Sequence, residues 1–157
     1  MAELAVTRAL SHFTLALDWL KPPVALVTRL YVSWQFFDSG LFKLRDWEQT
    51  TSLFEVMYQV PLLPTTVAAI LGTFGELFFP IFLALGLGGR AAAFGLFIVN
   101  IVAVISYPDL FKEGYEAALL WHYLWGFMLL MLTAYGPGAL SVDHWLERKR
   151  SDGRRWS

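Results

Sequence analysis

Residues 24–44 constrain this chain most, because they form an apolar stretch long enough to cross a lipid bilayer and yet carry charged side chains. A spanning helix needs about 20 mostly apolar residues, and a charge near its centre costs at least ~2.5–3.5 kcal/mol on insertion scales. Arg29 and Lys43 lie near opposite ends of the stretch, where their side chains can extend to the lipid headgroups. Gln35 and Asp38 lie too deep for that and share one helical face, which the sequence therefore predicts to pack against other helices.

The composition of the whole chain favours a single membrane-embedded domain. Of its 157 residues, 57% are hydrophobic and only 16% are charged, which is more apolar than a soluble domain of this size. We therefore expect an all-α integral membrane protein in contact with the lipid bilayer. The net charge of −1 gives no general attraction to nucleic acid. The absence of cysteine excludes disulfides, thiol–disulfide relays, iron–sulfur clusters and thiolate metal sites.

Apolar runs separated by proline, glycine and charged residues predict a four-helix transmembrane bundle with two amphipathic helices that lie on the membrane surface. The first surface helix covers residues 2–20, and the second follows Asp46, which resembles an N-cap with Gln49 three residues later. The predicted spans are residues 24–44, 65–87, 91–107 and 116–135. The chain is accordingly divided into an amphipathic cytoplasmic-surface segment at 1–23, a four-helix membrane domain at 24–137 and a basic cytoplasmic tail at 138–157.

The distribution of basic residues predicts the orientation in the membrane. An even number of spans places both termini on one side, and most basic residues are on that side. The positive-inside rule therefore places both termini in the cytoplasm and the connections at 45–64 and 108–115 outside. The basic residues on the side of the termini are Arg8, Lys21, Arg90, Arg148, Lys149, Arg150, Arg154 and Arg155.

Each predicted span contributes polar groups that can face the other helices. Glu76 lies roughly 17 Å from the start of its span and Asp38 roughly 20 Å from the start of its own, as estimated from the helical rise per residue. We therefore predict a polar pocket among the helices that opens toward the outer side. Its predicted polar lining is Gln35, Asp38, Glu76, Asn100 and His122, and its candidate walls are Trp34, Tyr107, Trp121 and Trp125.

The polar residues also have purely structural interpretations. Glu76 is either an ion-pair partner of Arg29 that ties two helices together, or a pocket residue that handles a ligand or a proton. A single histidine such as His122 more often packs with a hydrogen bond than binds a ligand. Asn100 is typical of an interhelical hydrogen bond. Lys43 is typical of an anchor at the membrane interface.

Several familiar reaction centres have no counterpart in the sequence. The three histidines fall in three different layers of the predicted fold, so one chain cannot assemble a bis-histidine haem site or a three-histidine metal site. Asp38 and His122 are weak candidates for a metal site, because they supply only two ligands. No phosphate-binding loop or nucleophile elbow is present. The sequence therefore shows no complete active site and favours a subunit or binding protein over a stand-alone enzyme.

Short motifs make residues 24–137 resemble the DoxX family of small four-helix membrane proteins. The resemblance implies a location in the bacterial inner membrane and an association with redox chemistry. Members of the family are named for a subunit of a thiosulfate:quinone or quinol oxidase system, and others are linked to membrane complexes that counter oxidative stress. The resemblance rests on Arg29, on Phe37-x-x-Gly40-x-x-Lys43, on Gly75-Glu76, and on Leu85-Gly86-Leu87-x-x-Arg90-x-Ala92-Ala93.

The leading functional hypothesis is an accessory membrane subunit of a redox-linked complex, with a protein partner and with a quinone as a candidate ligand between the helices. A quinone needs an apolar slot with one or two hydrogen-bond donors, and His122, Asn100 or a protonated Glu76 are the candidates, with Trp125 as a wall. One alternative is a non-enzymatic adaptor that docks a partner through the helix at 46–58. Another is the handling of a metal or metallopeptide at the outer mouth, in a copper-related system. The ligand, the partner and any homo-oligomeric state stay open.

Overall fold

The computed structural model describes the backbone of residues 2–153 and the side chains of residues 10–152. This part of the chain is helical, without strands. The predicted anchoring role of Arg154 and Arg155, and the side chain of Arg8, lie outside the described residues. The helices are α1 (Ala2–Asp18), α2 (Lys21–Arg45), α3 (Trp47–Val56), α4 (Thr65–Leu85), α5 (Gly89–Ser106), α6 (Glu116–Tyr135) and α7 (Val142–Gly153), with a 3-10 helix at Pro108–Phe111.

Three of these helices are long and apolar enough to cross a membrane. They are α4, α5 and α6, whose bounds lie within two residues of the predicted spans. Helix α2 is longer, at 25 residues, but it does not reach the same apolarity within the described chain, since it includes several charged residues. The prediction of an α-helical membrane protein is therefore confirmed, and a fourth span formed by α2 stays a prediction.

The four long helices pack in a closed order. Helix α2 contacts α4, α4 contacts α5, α5 contacts α6, and α6 contacts α2. Between them lies a core of fully buried apolar side chains that includes Val32, Leu83, Leu96 and Leu129. The chain connections place the end of α2, the starts of α4 and α6 and the end of α5 together, and we call this the α3 end. The opposite end, next to α7, is the α7 end.

Helix α3 covers a part of α4 that α2 does not reach. Gly40, five residues before the end of α2, lies against Leu77, twelve residues after the start of α4. Helix α4 therefore continues about 10 Å past the end of α2. On this extension Phe54 of α3 packs against Ala68 and Ala69. The predicted N-cap is confirmed, because the Asp46 carboxylate accepts a hydrogen bond from the Gln49 backbone N–H at 2.8 Å.

Candidate functional site

A buried ion pair joins α2 to α4 near the α3 end. The Lys43 ammonium lies 2.7 and 2.5 Å from the two carboxylate oxygens of Glu76 and also donates to the Ser39 hydroxyl at 3.0 Å. The two charged side chains are only 11% and 10% exposed. Buried charges are tolerated when they are paired and hydrogen-bonded, as here. The predictions that Glu76 pairs with Arg29 and that Lys43 is an interface anchor were therefore wrong.

Local features of both helices bring this pair together. Gly40 has no side chain where α2 crosses α4, and a Cβ atom there would come within 2.8 Å of the Leu77 side chain. The backbones can approach closely for this reason. The first turn of α3 then covers the pair, since the Thr50 hydroxyl donates a hydrogen bond to the carbonyl of Lys43 at 2.9 Å. The pair is thus enclosed by protein although Lys43 is near the end of its helix.

Two cavities border the ion pair. The first, which we call the chamber, has a volume of about 220 Å³. The second, the side pocket, has about 200 Å³ and is mainly apolar. Lys43, Tyr58, Glu76 and Ala103 line both cavities. The remaining residues that line the chamber are Gln35, Phe36, Ser39, Tyr107, Leu110, His122 and Trp125.

The imidazole of His122 is held in one orientation by Asn100. The Asn100 amide nitrogen donates to the His122 backbone carbonyl at 3.0 Å, and the Asn100 amide oxygen lies 2.9 Å from the ring nitrogen Nδ1 of His122. Because an amide oxygen only accepts, Nδ1 carries the proton. The second ring nitrogen, Nε2, is then the acceptor of a neutral imidazole. The predicted interhelical hydrogen bond of Asn100 is confirmed, and His122 presents an acceptor to the chamber.

Aromatic rings surround the chamber. The Trp125 ring packs 5.6 Å from Phe36 and 5.1 Å from the imidazole of His122. Its buried indole N–H has no hydrogen-bond partner among residues 10–152, whose side chains the structure describes. The Tyr58 ring lies 5.5 Å from that of Tyr107. Burial, followed by the negative charge of Glu76, raises the pKa of Tyr58 above its usual value. Both tyrosines therefore stay neutral at physiological pH.

Tyr58 and Ala103 were missed by sequence reasoning. Tyr58 follows α3 in the chain, where nothing in the local sequence pattern indicates a cavity. Ala103 was not included in the predicted pocket, because an alanine side chain has no polar group that would indicate a binding site. Its small side chain leaves space on α5 opposite the ion pair, which only the packing of the helices reveals.

Asn100, Trp34 and Trp121 were predicted to line the pocket but do not line the chamber, and neither does Asp38. The Asp38 side chain is exposed, whereas Gln35 and Ser39 on the same helix line the cavity. Asp38 and His122 therefore do not share a site. Within the described part of the chain, no group of three or more histidine, aspartate or glutamate residues is arranged to hold a metal ion. The geometry gives no support to the weak metal-site candidates.

The other two basic residues of the family motifs lie at the α7 end. Arg29 is 2% exposed and donates hydrogen bonds to the carbonyls of Pro137 and Leu140 at 2.9 and 2.8 Å. Arg90 donates to the carbonyl of Thr133 at 2.9 Å. Arg29 thus connects α2 to the segment after α6, and Arg90 connects α5 to the last turn of α6. Neither side chain lines the chamber.

A carboxylate completes this network at the α7 end. The Asp143 carboxylate accepts hydrogen bonds from the backbone N–H groups of Gly88 and Gly89, each at 2.8 Å, at the start of α5. Gly88 has a positive φ of 58°, which glycine adopts without strain. An acidic side chain at a helix N-terminus also complements the helix dipole. The first residues of the predicted basic tail are therefore fastened to the membrane domain.

Comparison with known proteins identifies the family. A family model described as DoxX matches residues 24–108, which include both residues of the ion pair. A relative from Haemophilus influenzae, described as an uncharacterized protein, is 30% identical over 127 residues, covering 75% of this chain and 80% of the relative. No solved structure matches. The chain therefore belongs to the DoxX family and is a membrane protein.

Proposed function

We propose that this protein is an accessory subunit of a redox-linked membrane complex and that it binds a small apolar ligand of the quinone type between its helices. The observation that carries the proposal is the chamber beside the Lys43–Glu76 pair, which has aromatic walls and an acceptor nitrogen on His122. A polar centre next to an apolar cavity is typical of sites that orient an amphipathic small molecule. The resemblance to redox-associated members of the family supports the same context.

The size of the cavities limits what can bind. Pockets for drug-sized ligands have volumes of about 300–1,000 Å³, whereas the chamber and the side pocket have about 220 and 200 Å³. The chamber therefore suits a single ring rather than a large cofactor. The side pocket includes Leu71 of α4 and Ile98 of α5, both exposed on the surface that faces lipid. An apolar tail attached to the ring can leave toward the bilayer between these helices.

The membrane arrangement that accompanies this function has four spans, with α2 as the first. Arg29 and Lys43 of α2 face protein partners rather than lipid, which lowers the cost of burying them in a membrane. Helices α1 and α3 then lie at the membrane surfaces. From the bias of basic residues we infer that both termini are in the cytoplasm and the α3 end is outside. The family resemblance supports the inner membrane of a bacterium as the location.

The direct test is mass spectrometry of small molecules and proteins that stay bound after gentle extraction. Ala103→Leu fills space in both cavities without removing a charge, and Ala91→Leu, on an exposed position of the same helix, is the matched control. We expect the wild type and Ala91→Leu to retain a quinone-type molecule that Ala103→Leu loses. An empty wild type without any co-purifying redox partner contradicts the proposal.

The second candidate is an adaptor that docks a partner at the α3 end. The observation in its favour is an apolar surface next to α3, where Leu62 is fully exposed with a positive φ of 67° and Val56 is also exposed. A β-branched or bulky side chain rarely adopts such a backbone without a reason. If Leu62→Ser and Val56→Ser remove a co-purifying partner while Ala103→Leu does not, the adaptor explains the function better than ligand binding.

A further inference from the structure

The chamber offers its ligand more hydrogen-bond acceptors than donors. We infer that it recognises the reduced, hydroxyl-bearing form of a quinone-type ligand, an aromatic diol, in preference to the oxidised dione. The inference rests on the proposed function, because it assumes that such a ligand enters the chamber. It departs from the expectation that His122, Asn100 or a protonated Glu76 donates to a quinone carbonyl.

The Lys43 ammonium of the ion pair has no N–H group left to donate to a ligand. A lysine ammonium has three N–H groups, and those of Lys43 have acceptors in the two oxygens of Glu76 and the hydroxyl of Ser39. A carboxylate has about four lone-pair sites, so Glu76 can still accept further hydrogen bonds. Toward the chamber, the pair therefore acts as an acceptor.

The second acceptor is His122. Its Nδ1–H points to the oxygen of Asn100, whose nitrogen is committed to the backbone carbonyl of His122. Nε2 makes no hydrogen bond within the described part of the chain and carries a lone pair. Gly126 leaves room for this arrangement, since a Cβ atom there would come within 3.1 Å of the Asn100 amide nitrogen. Asn100 is thus a positioning residue that selects the accepting tautomer.

The other polar groups of the chamber do not oppose this preference. Trp125 lines the chamber and its indole nitrogen is a pure donor, but this nitrogen is fully buried, so a ligand can accept from it only if the ring shifts. The remaining groups carry both a donor and an acceptor and fit either form of the ligand. These groups are the amide of Gln35 and the hydroxyls of Ser39, Tyr58 and Tyr107.

The two forms of the ligand differ in one property that this chamber can detect. A diol hydroxyl can donate to Glu76 or to Nε2 of His122, whereas a dione carbonyl would bring its lone pairs against those of the same acceptors. A site built to hydrogen-bond a hydroxyl discriminates strongly against an analogue that lacks it, because its buried polar groups are left unpaired. The preference therefore follows from chemistry and requires no reaction step.

The test is binding of three short-tailed probes to the full chain in lipid nanodiscs under anaerobic conditions. The probes are a benzoquinone with a decyl tail, its hydroquinone, and the dimethyl ether of that hydroquinone, which has the same ring but no hydroxyl. We expect the hydroquinone to bind at least about tenfold more tightly than the other two, the equivalent of one well-made hydrogen bond. Equal binding of the hydroquinone and its ether overturns the inference, and so does tighter binding of the benzoquinone.

A variant identifies the acceptor. His122→Phe removes Nε2, and we expect the preference for the hydroquinone over its ether to shrink severalfold while binding of the ether itself persists. Tyr123→Phe, an exposed position on the same helix, is the control and keeps the preference. An unchanged preference in a folded His122→Phe protein overturns the role of His122.

If none of the three probes binds the wild type, the proposed ligand-binding function fails together with the inference, whereas equal binding of all three overturns the inference alone.

Discussion

Lys43 and Arg29 lie on the same helix, both are buried, and they differ in almost everything else. Arg29 is surrounded by the chain itself, with the backbone carbonyls of Pro137 and Leu140 as its partners. Lys43 pairs with an ionisable side chain, Glu76, and lines two cavities, the chamber and the side pocket. A cation held by backbone carbonyls is typical of a structural tie. A charge pair with open space beside it can serve a ligand as well.

Burial of a charged side chain in this protein therefore does not by itself indicate a function. Both basic residues belong to the motifs that carry the resemblance, yet of the two only Lys43 lines the chamber and the side pocket. The space depends on small residues such as Ala103 and Gly40 as much as on the charges. We therefore propose that the contacts at the α7 end stabilise the fold and that the α3 end binds the ligand. Substitutions at the two ends can separate these roles.

The largest effect is expected for Glu76→Gln. It leaves the buried ammonium of Lys43 opposite a neutral amide, and removing one partner of a buried ion pair typically costs about 3–5 kcal/mol. The free energy of unfolding, measured by denaturant titration in detergent micelles, should fall by that amount. The double variant Lys43→Met/Glu76→Gln should recover much of the loss, because no unpaired charge remains. A single variant as stable as the wild type contradicts this account of the pair.

A smaller loss is expected for Arg29→Lys at the other end. Lysine lacks the planar fork that reaches both carbonyls, and a hydrogen bond to a charged group contributes about 1.5–3 kcal/mol. Losing one of the two bonds should lower the free energy of unfolding by about 2 kcal/mol, with faster hydrogen exchange around Leu140. Ligand retention should not change. Loss of ligand at equal folding would show that the two ends are not separate.

Gly40→Ala tests the close approach of α2 and α4 beside the ion pair. The added Cβ would lie 2.8 Å from Cγ of Leu77, and overpacking of this kind costs about 1–3 kcal/mol. Gly72→Ala on α4 is the matched control, since its Cβ would meet the Phe54 ring at 3.4 Å, an ordinary contact. Thermal unfolding of both variants is the measurement. Equal stability of the two proteins would remove the structural reason for Gly40.

Asp143→Asn should weaken the attachment of α7 by about 1 kcal/mol, the usual contribution of a charged side chain that caps a helix N-terminus. The amide side chain still has one accepting oxygen, so only part of the cap is lost. Hydrogen exchange of the amides of Gly88 and Gly89 should accelerate, and amides at the α3 end should not. Acceleration at both ends would contradict the independence of the two regions.

The smallest effect concerns pH at the α3 end. A hydrogen bond with Tyr115, with a smaller contribution from burial, raises the pKa of Tyr107 to about 12 from its usual 10.0. Folded Tyr107 thus keeps its proton where the unfolded chain has lost it, so its stabilising contribution is complete below pH 10 and disappears as the pH rises toward 12. Ultraviolet titration should show a tyrosine that titrates near pH 12, and Tyr115→Phe should shift this titration to lower pH. An unshifted titration would contradict the hydrogen bond.

Much of the helical pattern follows from the sequence, because the apolar runs and their proline and glycine boundaries are local signals. Helix α6 begins and ends where it was predicted, and the Asp46 cap was recognised from its spacing to Gln49. The pocket was predicted in part, since Gln35, Glu76 and His122 line the chamber. Asn100 stands behind His122 rather than in the lining. These residues were found because polar side chains are rare in apolar helices.

The errors come from the relative positions of the helices, which the sequence pattern of a single helix does not show. Counting residues along each span separately places Lys43 near one end of its span and Glu76 roughly 17 Å into its own. This count does not show that the two residues meet. In the structure α4 extends past α2 and α3 covers the difference, so the two residues meet. Asp38 and Ser39 are neighbours on α2, and neighbouring helical positions point about 100° apart. Only Ser39 of the two lines the chamber.

The most direct test of the central claim is a binding titration of the decyl-tailed hydroquinone to nanodisc-embedded Ala103→Leu and Arg29→Lys proteins. The first variant fills the space beside the ion pair, and the second weakens the tie at the α7 end. We expect Ala103→Leu to lower the affinity by about tenfold or more, because the leucine side chain displaces the ring from a tight cavity. Arg29→Lys should keep the wild-type affinity. Unchanged affinity in Ala103→Leu, or an equal loss in both variants, would contradict the claim that the ligand binds at the α3 end.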